Sequence, residues 1–125
     1  MHYNEGPGAD KHHKIVGKGW GYELWIVNND LYCGKLLHID AGKRCSWHFH
    51  KIKDETFYVH KGRIRLLYGE DPDIEKATEL ILGPDSSFHV RPGLIHQIIA
   101  LEDSDVYEFS TTHFDDDSHR IIVGD

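Results

Sequence analysis

Residues 42–62, GKRCSWHFHKIKDETFYVHKG, set the reading of the whole chain. Between the bounding Gly42 and Gly62, His48 and His50 stand two apart and Glu55 follows five residues later. Side chains alternate across an extended strand, so His48 and His50 point to the same face. Neutral imidazoles joined by a carboxylate are a donor set that divalent transition ions favour. A fourth donor, His96, stands far downstream in RPGLIH, just past the turn Pro92-Gly93. The candidate metal ligands are therefore His48, His50, Glu55 and His96. A His-x-His pair alone says little in a chain with 11 histidines. The acid, the bracketing glycines and a histidine at a turn-to-strand junction are what give it weight. Three imidazoles and one carboxylate around an octahedral ion leave two positions for water or substrate, so the site reads as open rather than structural.

At 125 residues the chain is long enough for one domain with a real apolar core. No apolar run reaches the length of a membrane span, and the first ten residues lack the apolar centre of an export signal. A cytoplasmic protein is expected, with Cys33 and Cys45 as reduced thiols rather than a disulfide. Cys45 falls out of phase with His48 and His50 on a regular strand, so a packed thiol is expected there. A net charge of −7 argues against nucleic acid and anionic membranes as partners.

Residues 1–14 are polar and contain Gly and Pro, as a mobile arm or edge-capping segment would; His12 and His13 read as solvated. From Tyr22 onward, short β-like runs alternate with turn residues. Strands are expected over 22–27, 31–39, 45–50, 55–60, 63–68, 88–90, 95–101 and 106–112. Asn28-Asn29-Asp30 marks a hairpin, and Gly83-Pro84-Asp85 and Arg91-Pro92-Gly93 mark further turns. Residues 74–82, IEKATELIL, suit either a strand or a short helical turn. No amphipathic helix of three turns appears, so the chain is all-β, a sandwich or a small barrel. Phe57 and Val59 should share the interior with Glu55, while Thr56, Tyr58, His60 and Gln97 face outward. Arg63, Arg65, Arg91, Lys51 and Lys53 are the candidates for gripping an anionic group.

The pattern G-x5-H-x-H-x4-E-x6-G, followed by P-G-x-x-H, resembles the two motifs of the cupin superfamily, the first matched at every position. The resemblance implies a double-stranded β-helix, or jelly roll, over residues 18–125 behind an arm at 1–17. It also implies one divalent transition metal (Zn, Mn, Fe, Ni or Co) near the open mouth of the barrel. Two outer segments, KGWGYE at 18–23 and STTHFDDDSHRI at 110–121, resemble the phosphomannose isomerase cupin domain of bifunctional mannose-1-phosphate guanylyltransferases. Asp85 and Arg91 depart from that pattern, standing where a Gly and a Pro are usual, and no nucleotidyltransferase domain accompanies the motif.

The function so implied is a metal-dependent isomerase of a sugar or sugar phosphate, mannose-6-phosphate isomerase-like. A divalent ion would polarise the carbonyl while a base moves the neighbouring proton. Lys53, His60 and His89 are the candidates for that base. The alternatives are an Fe(II)-dependent dioxygenase and a non-enzymatic module that binds a sugar or small acid. A homodimer is expected, since small sandwiches commonly protect their edge strands by pairing.

Overall fold

The computed structural model describes residues 13–125. Its strands are β1 (Lys14–Lys18), β2 (Gly21–Asn28), β3 (Cys33–Ile39), β4 (Trp47–Phe49), β5 (Glu55–Lys61) and β6 (Ile64–Gly69). After a 3₁₀ turn at Ile74–Lys76 come β7 (Thr78–Leu82), β8 (Ser87–Val90), β9 (Ile95–Ala100), β10 (Ser104–Ser110) and, past a second 3₁₀ turn, β11 (His119–Ile122). One antiparallel sheet has the order β1-β2-β3-β10-β5-β8 and the other β11-β4-β9-β6-β7. From β3 onward the chain passes repeatedly from one sheet to the other, so each sheet interleaves early and late strands. That interleaving is the jelly roll.

The burial of β3 alternates strictly, with Cys33, Lys35, Leu37 and Ile39 inward, and β5 turns Glu55, Phe57 and Val59 inward. Between the sheets lies a core of Leu37, Ile39, Phe57, Val59, Ile64, Leu66, Ile98, Ala100 and Val106. Burying each such side chain contributes about 1.5–3 kcal/mol. The β5–β6 turn needs a glycine: Gly62 has φ of 87°, and a Cβ there would collide with Ser104 and the Asp103 carbonyl. A second cluster of Trp47, Leu67 and Ile95 lies on the outer face of the five-stranded sheet, packed with Ile74 and Ala77. Trp47 donates its indole N–H to the Pro72 carbonyl at 2.9 Å, tying that covering loop down.

Several local expectations are revised. Residues 1–12 of the expected arm lie outside the described residues, but from Lys14 the chain is already an edge strand, so the boundary at residue 17 falls inside β1. The ambiguous 74–82 stretch is both things in turn, with Asp73 capping the 3₁₀ turn by accepting from the Glu75 N–H before β7 begins. Leu31 and Tyr32 belong to a loop, because the Asn29 side chain accepts from both of their N–H groups. Strand β4 is shorter than expected. The alternation slips at Ser46, so Cys45 is inside the barrel with His48 and His50 while Trp47 is on the outer face. Cys45 is nonetheless a packed thiol, pushed far up from its usual pKa by burial. Gln97 is on the outer face but buried, donating to the Cys45 carbonyl at 2.9 Å.

Candidate metal centre and its cavity

Strands β4 and β9 pair so that His48 and His96 are direct partners, their ring centroids 4.4 Å apart. His50 follows at the end of β4, and its carbonyl accepts the Gly93 N–H at 2.7 Å, which joins the first motif to the Pro-Gly turn of the second. Each imidazole is oriented through Nδ1. His48 donates to the Ser46 carbonyl at 3.0 Å, His50 to that of Asp117 at 2.9 Å and His96 to that of Leu94 at 3.0 Å. A proton on Nδ1 leaves the Nε2 lone pair free, which is the form that binds a metal. One nitrogen from each ring lies within 4.8 Å of those of the other two.

Glu55 enters from β5 in the opposite sheet. Its Oε2 stands 3.4 Å from Nε2 of both His50 and His96. Ligands about 2.1 Å from an ion and at right angles to each other stand about 3.0 Å apart, so the spacing suits a shared ion. Glu55 Oε2 and His96 Nε2 are buried and have no hydrogen-bond partner, a costly arrangement that a cation between them would relieve. Burial, helped by the neighbouring imidazoles, lowers the His48 pKa well below the usual value. Burial and the Lys53 ammonium bring His50 to about 3. Both rings are therefore neutral at pH 7. The residues present fit a divalent transition metal.

The loop between His50 and Glu55 is shaped by Asp117, whose carboxylate accepts the backbone N–H groups of Lys51, Ile52 and Lys53. Burial would raise the Asp117 pKa, but those three donors outweigh it and hold the carboxyl low. Lys53 is thereby turned inward. Its Nζ donates to Glu108 Oε2 at 3.0 Å and to His113 Nδ1 at 3.2 Å, and stands 3.8 Å from Glu55 Oε1. Burial alone would raise the Glu108 pKa, yet the Lys53 and Lys35 ammoniums hold it well below the usual carboxylate range. For Lys53 burial works downward, and Glu108 and Glu55 reverse it, so the amine stays charged.

These groups open into one cavity of about 640 Å³, lined also by Trp20, Trp25, Lys35, Leu37, Phe57 and Ile98. The other two base candidates lie elsewhere. His60 is exposed on the outward phase of β5, near Tyr107, and His89 is 62% exposed and paired with Asp54. Neither lines the cavity. Of the anion-gripping candidates only Lys53 does. Arg65 pairs with Glu79, Arg91 with Glu70, and Arg63 and Lys51 are exposed. Lys35, Glu108, Glu23, Trp25 and His113 were not among the expected site residues. The sign in the sequence is a charged residue in a strand's apolar phase: Lys35 between Cys33 and Leu37, and Glu108 two beyond Val106.

Fold and site together define a class: a double-sheet β barrel with a histidine-carboxylate cluster suited to a metal inside one end. Residues 35–111 match the Cupin domain family, and the chain belongs to it. The chain is 28% identical to a D-lyxose/D-mannose isomerase from Thermosediminibacter oceani, the match covering 78% of this chain and 66% of that one, just short of two thirds of its length. Two solved structures share the fold. KdgF from Halomonas sp. superposes with a TM-score of 0.70 at 20% identity, covering 84% of this chain and 91% of that chain. The capsular polysaccharide assembling protein CapF from Staphylococcus aureus gives 0.75 at 18% identity, covering 91% of this chain and 34% of CapF. Among the described residues, no helix is long and apolar enough to cross a membrane.

Proposed function

We propose that this chain is a metal-dependent sugar isomerase, interconverting an aldose of the mannose or lyxose type, free or phosphorylated, with its ketose. The observation that carries the reading is the buried Lys53–Glu108 pair beside the His48, His50, Glu55 and His96 cluster, all facing one cavity. The isomerase relative supports it. A divalent ion held by those four residues would polarise the substrate carbonyl and steady negative charge on its oxygen.

The protein's own groups supply the proton transfer. Glu108, kept ionised in the cavity, accepts the proton from the carbon next to the carbonyl and delivers it to the former carbonyl carbon. The proton of the neighbouring hydroxyl passes to the former carbonyl oxygen, so that aldose becomes ketose with no net gain or loss. Lys53 remains an ammonium, so it serves as a hydrogen-bond donor to Glu108 and to a substrate oxygen rather than as the base. Phe57, Leu37 and Ile98 exclude water from that side and strengthen each charge interaction inside.

The test is incubation of metal-loaded protein with mannose, lyxose and mannose 6-phosphate in deuterated water, followed by NMR. Ketose formation is expected, and Glu108→Gln should lower turnover by about 10²–10⁴-fold, the usual contribution of a positioned base, with metal content unchanged. Full turnover by the Gln variant would remove Glu108 from the role. No turnover of any sugar, with clear thermal shifts on adding one, would make the chain a binding module. Oxygen uptake would make it an oxygenase.

A further inference from the structure

Strand register sets a row of side chains across the inner face of the six-stranded sheet: Lys14, Trp25, Lys35, Glu108 and Phe57 are successive cross-strand partners. Two neighbours in this row, Glu108 and Lys35, are satisfied differently. Glu108 has Lys53 at 3.0 Å. Lys35 is 3% exposed, yet among the described residues its ammonium makes no hydrogen bond. Its nearest carboxylate oxygen, Glu23 Oε1, is 3.9 Å away and already accepts the Trp25 indole N–H at 3.0 Å. Lys35 Nζ instead lies 4.0 Å from the centre of the Trp25 ring, and Lys14 Nζ lies 4.4 Å from the same ring. Lys35 Nζ is not among the atoms sealed away without a partner. Its three donors meet no protein acceptor at hydrogen-bond distance among the described residues, so the acceptor has to be supplied from outside the protein. Lys35 lines the cavity, so a ligand can supply it.

We infer that Lys35, backed by Trp25 and Lys14, is a subsite for an anionic oxygen group, and that the substrate is an acidic sugar, a phosphate or a carboxylate. The inference rests on the isomerase reading for the word substrate, but the subsite itself does not need turnover. The charges favour it. Lys35 and Lys53 both act on Glu108, and with Lys14 and Glu23 counted this side of the cavity carries three ammoniums against two carboxylates. From Lys35 to Glu55 is two strands and two residues, about 12 Å between Cα atoms at ordinary strand spacings. Both side chains point into the space between, so an anionic group at Lys35 leaves room for a carbonyl end near Glu55.

The experiment is calorimetric titration of metal-loaded protein with three sugars that differ in charge: mannose, mannose 6-phosphate and mannuronate. At least one charged sugar should bind about tenfold or more tighter than mannose, as a charge-assisted bond to a desolvated ammonium allows. Whichever of the two binds better identifies phosphate or carboxylate as the group. Lys35→Met, which keeps much of the volume, should abolish the preference, and Glu23→Gln, which removes the competing carboxylate, should increase it. Equal binding of mannose and both acids by the wild type would overturn the inference. So would a preference that survives in Lys35→Met. If that variant does not fold, the wild-type panel and Glu23→Gln decide, since a Glu23→Gln protein with no gain for either acid also refutes it. Turnover is scored separately. An acid preference without isomerisation keeps the subsite and removes the isomerase, and isomerisation of mannose with no acid preference does the reverse.

Discussion

The two ends of the barrel interior differ along the strands that line it. On β3 the inward side chains run from Lys35 to Leu37 and Ile39; on β5 from Glu55 to Phe57 and Val59; on β9 from His96 to Ile98 and Ala100. On β10, read backwards, Glu108 gives way to Val106. Two residues of strand, about 7 Å, separate the charged layer from the first apolar one. The aliphatic end does the ordinary work of a core and stabilises the fold without help. The polar end desolvates Lys35, Lys53, Glu55 and Glu108 and leaves two buried atoms without partners. Such a concentration of buried charge contributes little net stability. It persists where a function requires it.

The comparison is most sharply tested at Lys53. Lys53→Met leaves the Glu108 carboxylate buried without its 3.0 Å partner. Loss of about 3–5 kcal/mol of unfolding free energy is expected, the usual cost of halving a buried pair. Lys53→Met combined with Glu108→Met should recover most of that loss. Denaturant unfolding of the metal-free proteins measures both. A double variant no more stable than Lys53→Met would mean that the pair is structural cement and the two ends are not different in kind.

Next in size is a contrast between one substitution at each end. Leu66 is 1% exposed in the aliphatic cluster, and Leu66→Ala should cost about 2–5 kcal/mol. That cost should be the same with and without metal. His50→Ala should change the metal-free protein less, but should abolish the rise in melting temperature that added divalent ion gives the wild type, because an ion that binds only the folded state stabilises it. Equal metal-induced shifts for wild type and His50→Ala would remove His50 from the ligand set.

Much of this was legible in the sequence because it depends on strand phase. His48 and His50 share a face by alternation alone, and the Pro92-Gly93 turn announced the strand that brings His96 back. Phase also marked Phe57 and Val59 as interior. What escaped depends on pairing between distant strands. Lys35 and Glu108 meet only because β3 and β10 are neighbours, a juxtaposition of residues 73 positions apart that no local pattern encodes. Lys53 could be named but its state could not, since its charge is fixed by Glu108 from another strand. His60 and His89 lie away from the cavity for the complementary reason: a histidine's chemistry is visible in sequence, but the face it occupies decides what it reaches. The slip at Ser46 is a local departure from alternation, and the regular-strand assumption placed Cys45 on the wrong side for that reason.

The smallest effect is expected outside the barrel, where neither end has influence and only surface electrostatics operate. On the outer face of the six-stranded sheet, His38 Nδ1 lies 2.7 Å from Asp105 Oδ1, and Nε2 lies 3.4 Å from Asp40 Oδ1. The ring stacks on Tyr22 with centroids 5.1 Å apart. The hydrogen bond to Asp105 raises the His38 pKa, overcoming the opposite effect of partial burial, and the charges of Asp105 and Asp40 add to it. A histidine whose pKa is higher in the folded than in the unfolded state binds its proton more tightly when folded. Its stabilising contribution is therefore complete below the unfolded value, about 6.5, and disappears as pH rises through the folded value. His38→Gln should accordingly cost stability at pH 5.5 and progressively less above neutrality. The difference should not exceed about 0.2–1 kcal/mol, the range for partly exposed pairs, and salt should shrink it. Paired unfolding curves at several pH values provide the measurement. A cost that grows with pH would mean that the neutral imidazole, packed on Tyr22, is the stabilising form, and that the outer face depends on stacking rather than charge.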